Sequence, residues 1–212
     1  MNNLNRILAE KLLSISAIKL QPDNPFIWAS GWNSPIYTDN RKTLSYPDVR
    51  SFIKVELARV IVENFGNANA IAGVATGAIA QGARVADTLA LPYVYVRSSP
   101  KDHGLENLIE GNLKPGQKVV VIEDLISTGG SSLKAVEAIR NAGCEVVGMA
   151  AIFTYGFPVA EEAFKNANVT LCTLSNYNSM LEAALVSGYI KDGDIETLKE
   201  WRKDPANWYP NK

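Results

Sequence analysis

The chain has 212 residues with 21 basic and 22 acidic side chains, and this balance gives no basic excess that would favour nucleic acid. Hydrophobic residues make up 47% of the sequence, but no apolar run approaches the roughly 20 residues that a membrane span requires. The N-terminus has helical periodicity and resembles neither a signal nor a transit peptide. The two cysteines, Cys144 and Cys172, have neither zinc-site nor disulfide spacing. We therefore expect a globular cytoplasmic protein that binds neither nucleic acid nor membranes.

Hydrophobic periodicity predicts a first helix over residues 4–15, followed by a segment rich in aromatic residues, Gly and Pro. A long helix is predicted over residues 46–66, with Pro47 in its first turn and Gly66 after its end. From there strands and helices alternate. Strands are expected at 70–75, 93–98, 118–125, 145–155 and 169–176, and helices at 78–90, at 131–143 and after the strand at 145–155.

The predicted strands are runs of Val, Ile and Ala without polar alternation, which is typical of strands covered on both faces. This pattern predicts a single α/β domain over residues 1–212, with a central parallel sheet flanked by helices. Residues from about 1 to 45 are expected to form a small N-terminal cap, or hood, over the ligand-binding edge of the sheet. The α/β core is expected from about 46 to 212.

Two adjacent acids, Glu123 and Asp124, end a predicted strand in the stretch VVVIEDLISTGGSS, residues 119–132. Carboxylates in contact repel, so this pair costs stability unless something binds it. The Ser, Thr and Gly residues that follow lead into a helix, whose N-terminal N–H groups suit a phosphate. A helix cap and tight turn would explain the loop but not the acids. The combination indicates a ligand with hydroxyl and phosphate groups, such as a ribose 5-phosphate.

The stretch VVVIEDLISTGGSS resembles the phosphoribosyl pyrophosphate (PRPP) signature of the type I phosphoribosyltransferases. The resemblance implies the type I phosphoribosyltransferase fold, PRPP as a substrate and Mg²⁺ as a cofactor that bridges PRPP instead of occupying a dedicated protein metal site. It implies that the acids bind the ribose hydroxyls and that the loop binds the 5-phosphate. The implied substrate-binding residues are Glu123, Asp124, Leu125, Ile126, Ser127, Thr128, Gly129, Gly130 and Ser131.

The stretch YVYVRSSPKDHGLENLIEG, residues 93–111, contains Arg97, Lys101 and His103 in a polar region too irregular for a regular element. Three such residues on one loop can close over a pyrophosphate as its negative charge grows. The R-x3-K-D-H-G pattern resembles the catalytic loop of the orotate phosphoribosyltransferases. That resemblance implies that Lys101, His103 and Asp124 are catalytic and that Arg97 also binds substrate. It also implies a homodimer in which the 97–110 loop acts on the neighbouring subunit's site.

Two further segments resemble this family, the substrate-binding stretch at residues 30–41 and the Gly-rich pyrophosphate turn at residues 73–86. Several family members have basic residues where this sequence has other side chains. Arg41 is our hypothesis for part of the missing recognition of the orotate carboxylate, because a guanidinium suits that group. The alternative is that Arg41 pairs with a surface acid, Asp39 or Asp48. The positions without the family's basic residue are Ala29, Gly77, Ser98 and a position near Tyr155.

The resemblance extends from about residue 10 to about residue 180. It implies transfer of the 5-phosphoribosyl group of PRPP to orotate, which gives orotidine 5'-phosphate and pyrophosphate in the synthesis of UMP. Three alternatives remain open. One is a phosphoribosyltransferase for adenine, hypoxanthine or uracil, against which the K-D-H-G loop argues. The others are a PRPP-sensing regulator, disfavoured by a pI near 5.9, and a catalytically silent paralogue.

Overall fold

The structure is a computed structural model that describes residues 3–28, 30–99 and 108–209. The first elements in the chain are α1 (Asn3–Ser14), β1 (Ile18–Leu20), β2 (Phe26–Ile27), β3 (Asn33–Ser34), β4 (Ile36–Thr38) and a 3₁₀ helix (Asn40–Ser45). They are followed by α2 (Pro47–Asn64), β5 (Ala70–Val74), α3 (Ile79–Leu89), β6 (Tyr93–Val96), β7 (Ile109–Glu110), β8 (Lys118–Ile126) and α4 (Gly130–Asn141). The last elements are β9 (Glu145–Thr154), α5 (Pro158–Asn166), β10 (Leu171–Asn176), α6 (Tyr177–Val186) and α7 (Asp194–Lys203).

A six-stranded sheet with the order β10-β9-β8-β5-β6-β7 forms the centre of the structure. Its first five strands are parallel. Successive residues of β8 face opposite sides, so that Val120 packs in one hydrophobic cluster with α2 and α3, and Val121 in another with α4 and α5. The sheet is therefore covered on both faces, as the apolar runs predicted, and the predicted fold class is confirmed.

One edge of the sheet differs from the prediction. The polar stretch after the predicted strand at 93–98 was expected to lack regular structure, but Ile109 and Glu110 form β7, which pairs antiparallel with β6 through Val96 and Tyr95. A two-residue strand is too short to show a period in the sequence. Its pairing depends on the neighbouring strand and on the burial of Ile109, which is 8% exposed.

The hood contains two small antiparallel ladders, β1 with β4 and β2 with β3, which lie outside the main sheet. A direct link to the core comes from Asn40, whose Nδ2 donates a 2.6 Å hydrogen bond to the backbone oxygen of Asp124. The hood is thereby fixed next to the carboxyl end of β8, where the acid pair lies. In the described part of the chain, no helix has the length and apolar character needed to cross a membrane.

Candidate active site

The acid pair lies at the end of β8, where the strand leaves the core. Glu123 is 4% exposed, and its two carboxylate oxygens have separate partners. Oε2 accepts a 2.7 Å hydrogen bond from Ser132 Oγ in the first turn of α4, and Oε1 accepts one from the backbone N–H of Asp124 at 3.0 Å. The sequence prediction did not include Ser132, because nothing in the sequence shows that the helix turns this hydroxyl toward the strand.

Burial strongly affects the protonation of both acids. Burial, followed by the charge of Asp124, raises the pKa of Glu123 to about 8, while the hydrogen bond from Ser132 acts in the opposite direction. Burial also raises the pKa of Asp124, and the nearby charge of Arg41 is among the effects that oppose it. The pair therefore holds a proton near neutral pH, and a positively charged group on a bound ligand would favour release of that proton.

A cavity of about 480 Å³ opens above the acid pair, and we call it the acid-pair cavity. It is bordered by the hood, by the turn after β5 and by the loop between β8 and α4. Gly129, at the N-terminus of α4, has φ 83°, a conformation that favours glycine. Nine predicted residues line the cavity together: Arg41, Glu123, Asp124, Leu125, Ser127, Thr128, Gly129, Gly130 and Ser131.

Two other predicted residues, Ile126 and Arg97, are described but do not line this cavity. Ile126 is fully buried in the core beneath the loop, and it lines neither this cavity nor a second cavity that adjoins it. Arg97 lies at the end of β6, 3.6 Å from the Glu110 carboxylate, and lines a different cavity. Lys101 and His103 lie outside the described residues. The structure thus brings together the acids and the loop expected to bind phosphate, residues 127–131, and of the three residues expected to be catalytic it describes only Asp124.

Gly77 in the turn after β5 is in close contact with the acid pair. A Cβ atom at this position would overlap the carboxylate group of Asp124. Any side chain at residue 77 therefore requires Asp124 to move. This contact gives a physical reason for glycine at residue 77.

Arg41 lies on the hood side of the acid-pair cavity. Its Nε donates a 2.7 Å hydrogen bond to Asp39 Oδ1, so the structure shows the pairing with Asp39 that the sequence left as an alternative. Asp48 instead lies 4.0 Å from Lys11. Asp39 also lines the cavity and was missed as a site residue, although its position next to Asn40 and Arg41 was visible in the sequence.

A second cavity of about 530 Å³ adjoins the first, and we call it the aromatic cavity. The two cavities share Thr38, Leu125, Ser127 and Thr128. Among the described residues, the lining of the aromatic cavity includes no charged side chain. Sequence reasoning missed most of this lining, although it noted the aromatic character of the segment before residue 40. Its aromatic members are Trp28, Trp32, Tyr37 and Tyr155.

Comparison with known proteins agrees with this geometry. The phosphoribosyl transferase domain family matches residues 52–180. The chain is 71% identical to the orotate phosphoribosyltransferase of Bacteroides thetaiotaomicron over 212 residues, which is 100% of both chains. This chain belongs to the orotate phosphoribosyltransferase family.

Other members of the orotate phosphoribosyltransferase family are similar in sequence and in fold. The enzyme of Porphyromonas gingivalis is 68% identical over 208 residues, covering 98% of this chain and 99% of that one. The crystal structure of the Aeropyrum pernix enzyme matches with a TM-score of 0.76 and 29% identity, covering 87% of this chain and 99% of that one. These similarities favour orotate over the other bases that the sequence left open.

Proposed function

We propose that this protein transfers the 5-phosphoribosyl group of PRPP to orotate, giving orotidine 5'-phosphate and pyrophosphate in the synthesis of UMP. The observation that carries the proposal is the contact between two different cavities at Thr38 and Ser127. One cavity offers carboxylates and a phosphate loop, and the other offers aromatic walls that suit a planar base. The bond to the base would form at their border.

The acid-pair cavity is suited to PRPP. The loop from Ser127 to Ser131 leads into α4, so the partial positive charge of the helix N-terminus and the hydroxyl donors favour the 5-phosphate. Glu123 and Asp124 would accept hydrogen bonds from the ribose hydroxyls. Ionised carboxylates near the sugar would also stabilise the positive charge that develops on the ring as pyrophosphate leaves.

The acid pair also fits Mg²⁺, because hard divalent cations prefer oxygen ligands. Within the described ranges, no group of three or more His, Cys, Asp or Glu side chains could hold a metal. In accord with the family resemblance, we propose that Mg²⁺ enters with PRPP and that Glu123 and Asp124 contribute to its surroundings. Bound Mg²⁺ would neutralise charge on the departing pyrophosphate.

The loop residues complete the proposal. Lys101 and Arg97 would stabilise the charge of the leaving pyrophosphate, and His103 would donate a hydrogen bond or a proton to it. We propose a cytoplasmic homodimer in which the 97–110 loop acts on the neighbouring subunit. The family resemblance supports this arrangement.

The proposed function is tested by following orotate absorbance after PRPP and Mg²⁺ are added, with adenine, hypoxanthine and uracil in parallel. We expect PRPP-dependent loss of orotate alone. Turnover of a different base would preserve the PRPP site and overturn the choice of orotate. Tight PRPP binding without turnover of any base would instead support the regulator that the sequence left open.

A further inference from the structure

The C-terminal helix α7 lies behind the aromatic cavity and is anchored to two distant parts of the chain. Trp201 is fully buried, and its Nε1 donates a 3.1 Å hydrogen bond to the backbone oxygen of Asn33 in the hood. The next residue, Arg202, donates through Nη2 to the backbone oxygen of Gly156 at 3.0 Å. One turn of α7 therefore contacts both the hood hairpin, formed by β2 and β3, and the segment that follows β9.

The indole ring of Trp201 contacts two aromatic walls of the cavity from behind. Its centroid lies 5.5 Å from that of Trp28 at an interplanar angle of 80°, and 5.8 Å from that of Tyr155 at 82°. Trp28 and Tyr155 are themselves 5.3 Å apart. Both of these rings line the aromatic cavity, whereas Trp201 does not. Edge-to-face contacts of this kind fix the relative positions of rings.

The hood hairpin requires such an anchor. Its strands, β2 and β3, have only two residues each and pair with no strand of the main sheet. A small isolated hairpin is at best marginally stable in water. The indole of Trp28 is bound to the backbone oxygen of Ile36, which lies in the hood as well. The hydrogen bond between Trp201 and Asn33 thus adds a link from this hairpin to a helix outside the hood.

We infer that Trp201 is a positioning residue for the base: it holds Trp28 and Tyr155 at the separation and tilt that form the base-binding cavity. Trp201 contributes no atom to the cavity surface, so its effect on the base passes through these two rings. The inference deepens the proposed function, because it assigns the acceptor base to the aromatic cavity. The role of α7 would thus concern the base and not PRPP, whose proposed site is built by β8, α4 and the loop between them.

The test compares Trp201→Leu with Phe65→Leu in steady-state kinetics, with the KM values for orotate and PRPP measured separately. Phe65 is a matched control, because it is a buried aromatic residue that packs against Gly148 near the start of β9, away from both cavities. We expect Trp201→Leu to raise the orotate KM roughly tenfold, the effect of losing one or two ring contacts. In Trp201→Leu the PRPP KM should change less than about twofold. Phe65→Leu should not raise the orotate KM relative to the PRPP KM.

A lower melting temperature for both variants with an unchanged orotate KM for Trp201→Leu would overturn the inference, as would equal rises in both KM values. If Trp201→Leu does not fold, Trp201→Phe serves instead, because it keeps an aromatic ring while it loses the donor to Asn33 and part of the indole volume. Trp201→Phe should raise the orotate KM by less than tenfold and more than it raises the PRPP KM, and an orotate KM that does not rise would overturn the inference. If the unmodified enzyme prefers another base, the same split is measured with that base, so the proposed choice of orotate and the role of Trp201 can fail separately.

Discussion

The Ser132 hydroxyl donates a 2.7 Å hydrogen bond to the carboxylate of Glu123 and thereby joins the first turn of α4 to the end of β8. The loop that we propose binds the 5-phosphate connects these two elements. The expected binding groups for the ribose hydroxyls and for the 5-phosphate are therefore held by one local unit. A displacement of α4 would disturb both groups together.

Removal of this hydrogen bond should weaken PRPP binding. Ser132 opposes the rise in the pKa of Glu123, so Ser132→Ala should raise this pKa further and disfavour the ionised pair. We expect kcat/KM for PRPP to fall roughly tenfold at neutral pH, and its pH profile to shift to higher pH. Ser132→Thr keeps the hydroxyl and is the control. An unshifted pH profile for Ser132→Ala would exclude this role.

Stability should depend on pH through Glu123. Its pKa is raised from an ordinary value of 4.5 to about 8, so between these values the folded state holds a proton that the unfolded state releases. The free energy of unfolding of the ligand-free protein should therefore decrease as pH rises from about 4.5 through about 8. Urea unfolding at several pH values measures this trend, and Glu123→Gln should flatten it. An equal slope for both proteins would contradict the assignment.

A methyl group at residue 77 should displace the Asp124 carboxylate. Gly77→Ala places a Cβ where that carboxylate lies, whereas a Cβ at Gly193 would meet no atom within 4 Å. We expect kcat/KM for PRPP to fall by roughly tenfold to a hundredfold in Gly77→Ala, because misplaced catalytic groups are costly. Gly193→Ala should remain active. Full activity in Gly77→Ala would show that Asp124 can move without loss.

Arg41 allows a test of which cavity it serves. Arg41→Ala removes a guanidinium that lines the acid-pair cavity and pairs with Asp39. If it binds the orotate carboxylate, as first hypothesised, the orotate KM should rise while the PRPP KM stays nearly constant. The opposite split would place Arg41 on the pyrophosphate side. Lys42→Ala is a neighbouring control of the same charge, since Lys42 donates to the backbone oxygen of Ser16 and lines neither cavity.

Lys101 provides a test of the proposed dimer. Loss of one charge-stabilising donor typically costs about a hundredfold in rate, so Lys101→Ala should be severely impaired, whereas a twofold loss would reject its catalytic role. If the loop acts on the neighbouring subunit, mixing Lys101→Ala with Asp124→Asn should restore some activity after subunit exchange. In such a mixed dimer, one of the two sites combines the native Asp124 of the Lys101→Ala subunit with the native Lys101 of the Asp124→Asn subunit. No recovery in mixed dimers whose formation has been verified would argue for a loop that serves its own subunit.

The acid-pair cavity was predictable because its main residues are adjacent in the sequence. Glu123, Asp124 and the loop up to Ser131 form one motif. The strand end that carries the acids and the helix N-terminus that suits a phosphate are separated by only a few residues. The aromatic cavity was not predictable in this way. Trp28 and Tyr155 meet only after folding, and nothing near Tyr155 in the sequence indicates its partners.

Long-range packing explains the other differences. Trp201 was visible as a C-terminal aromatic residue, but its hydrogen bond to the backbone oxygen of Asn33 joins the last helix to the hood, and the sequence does not indicate that pairing. Arg41 had two acidic candidates, and only the folded geometry distinguishes Asp39 from Asp48. The pairing of β7 with β6 likewise depends on tertiary contacts and not on a local pattern.

The acid-pair cavity and the aromatic cavity are proposed to form one substrate site, with the sugar phosphate in the first and the base in the second. Competition binding with orotidine 5'-phosphate tests it most directly, since this product should occupy both cavities. We expect ribose 5-phosphate and orotate each to displace orotidine 5'-phosphate, and to bind together without displacing one another. Failure of either ligand to compete with orotidine 5'-phosphate, or mutual exclusion of ribose 5-phosphate and orotate, would contradict the division between the two cavities.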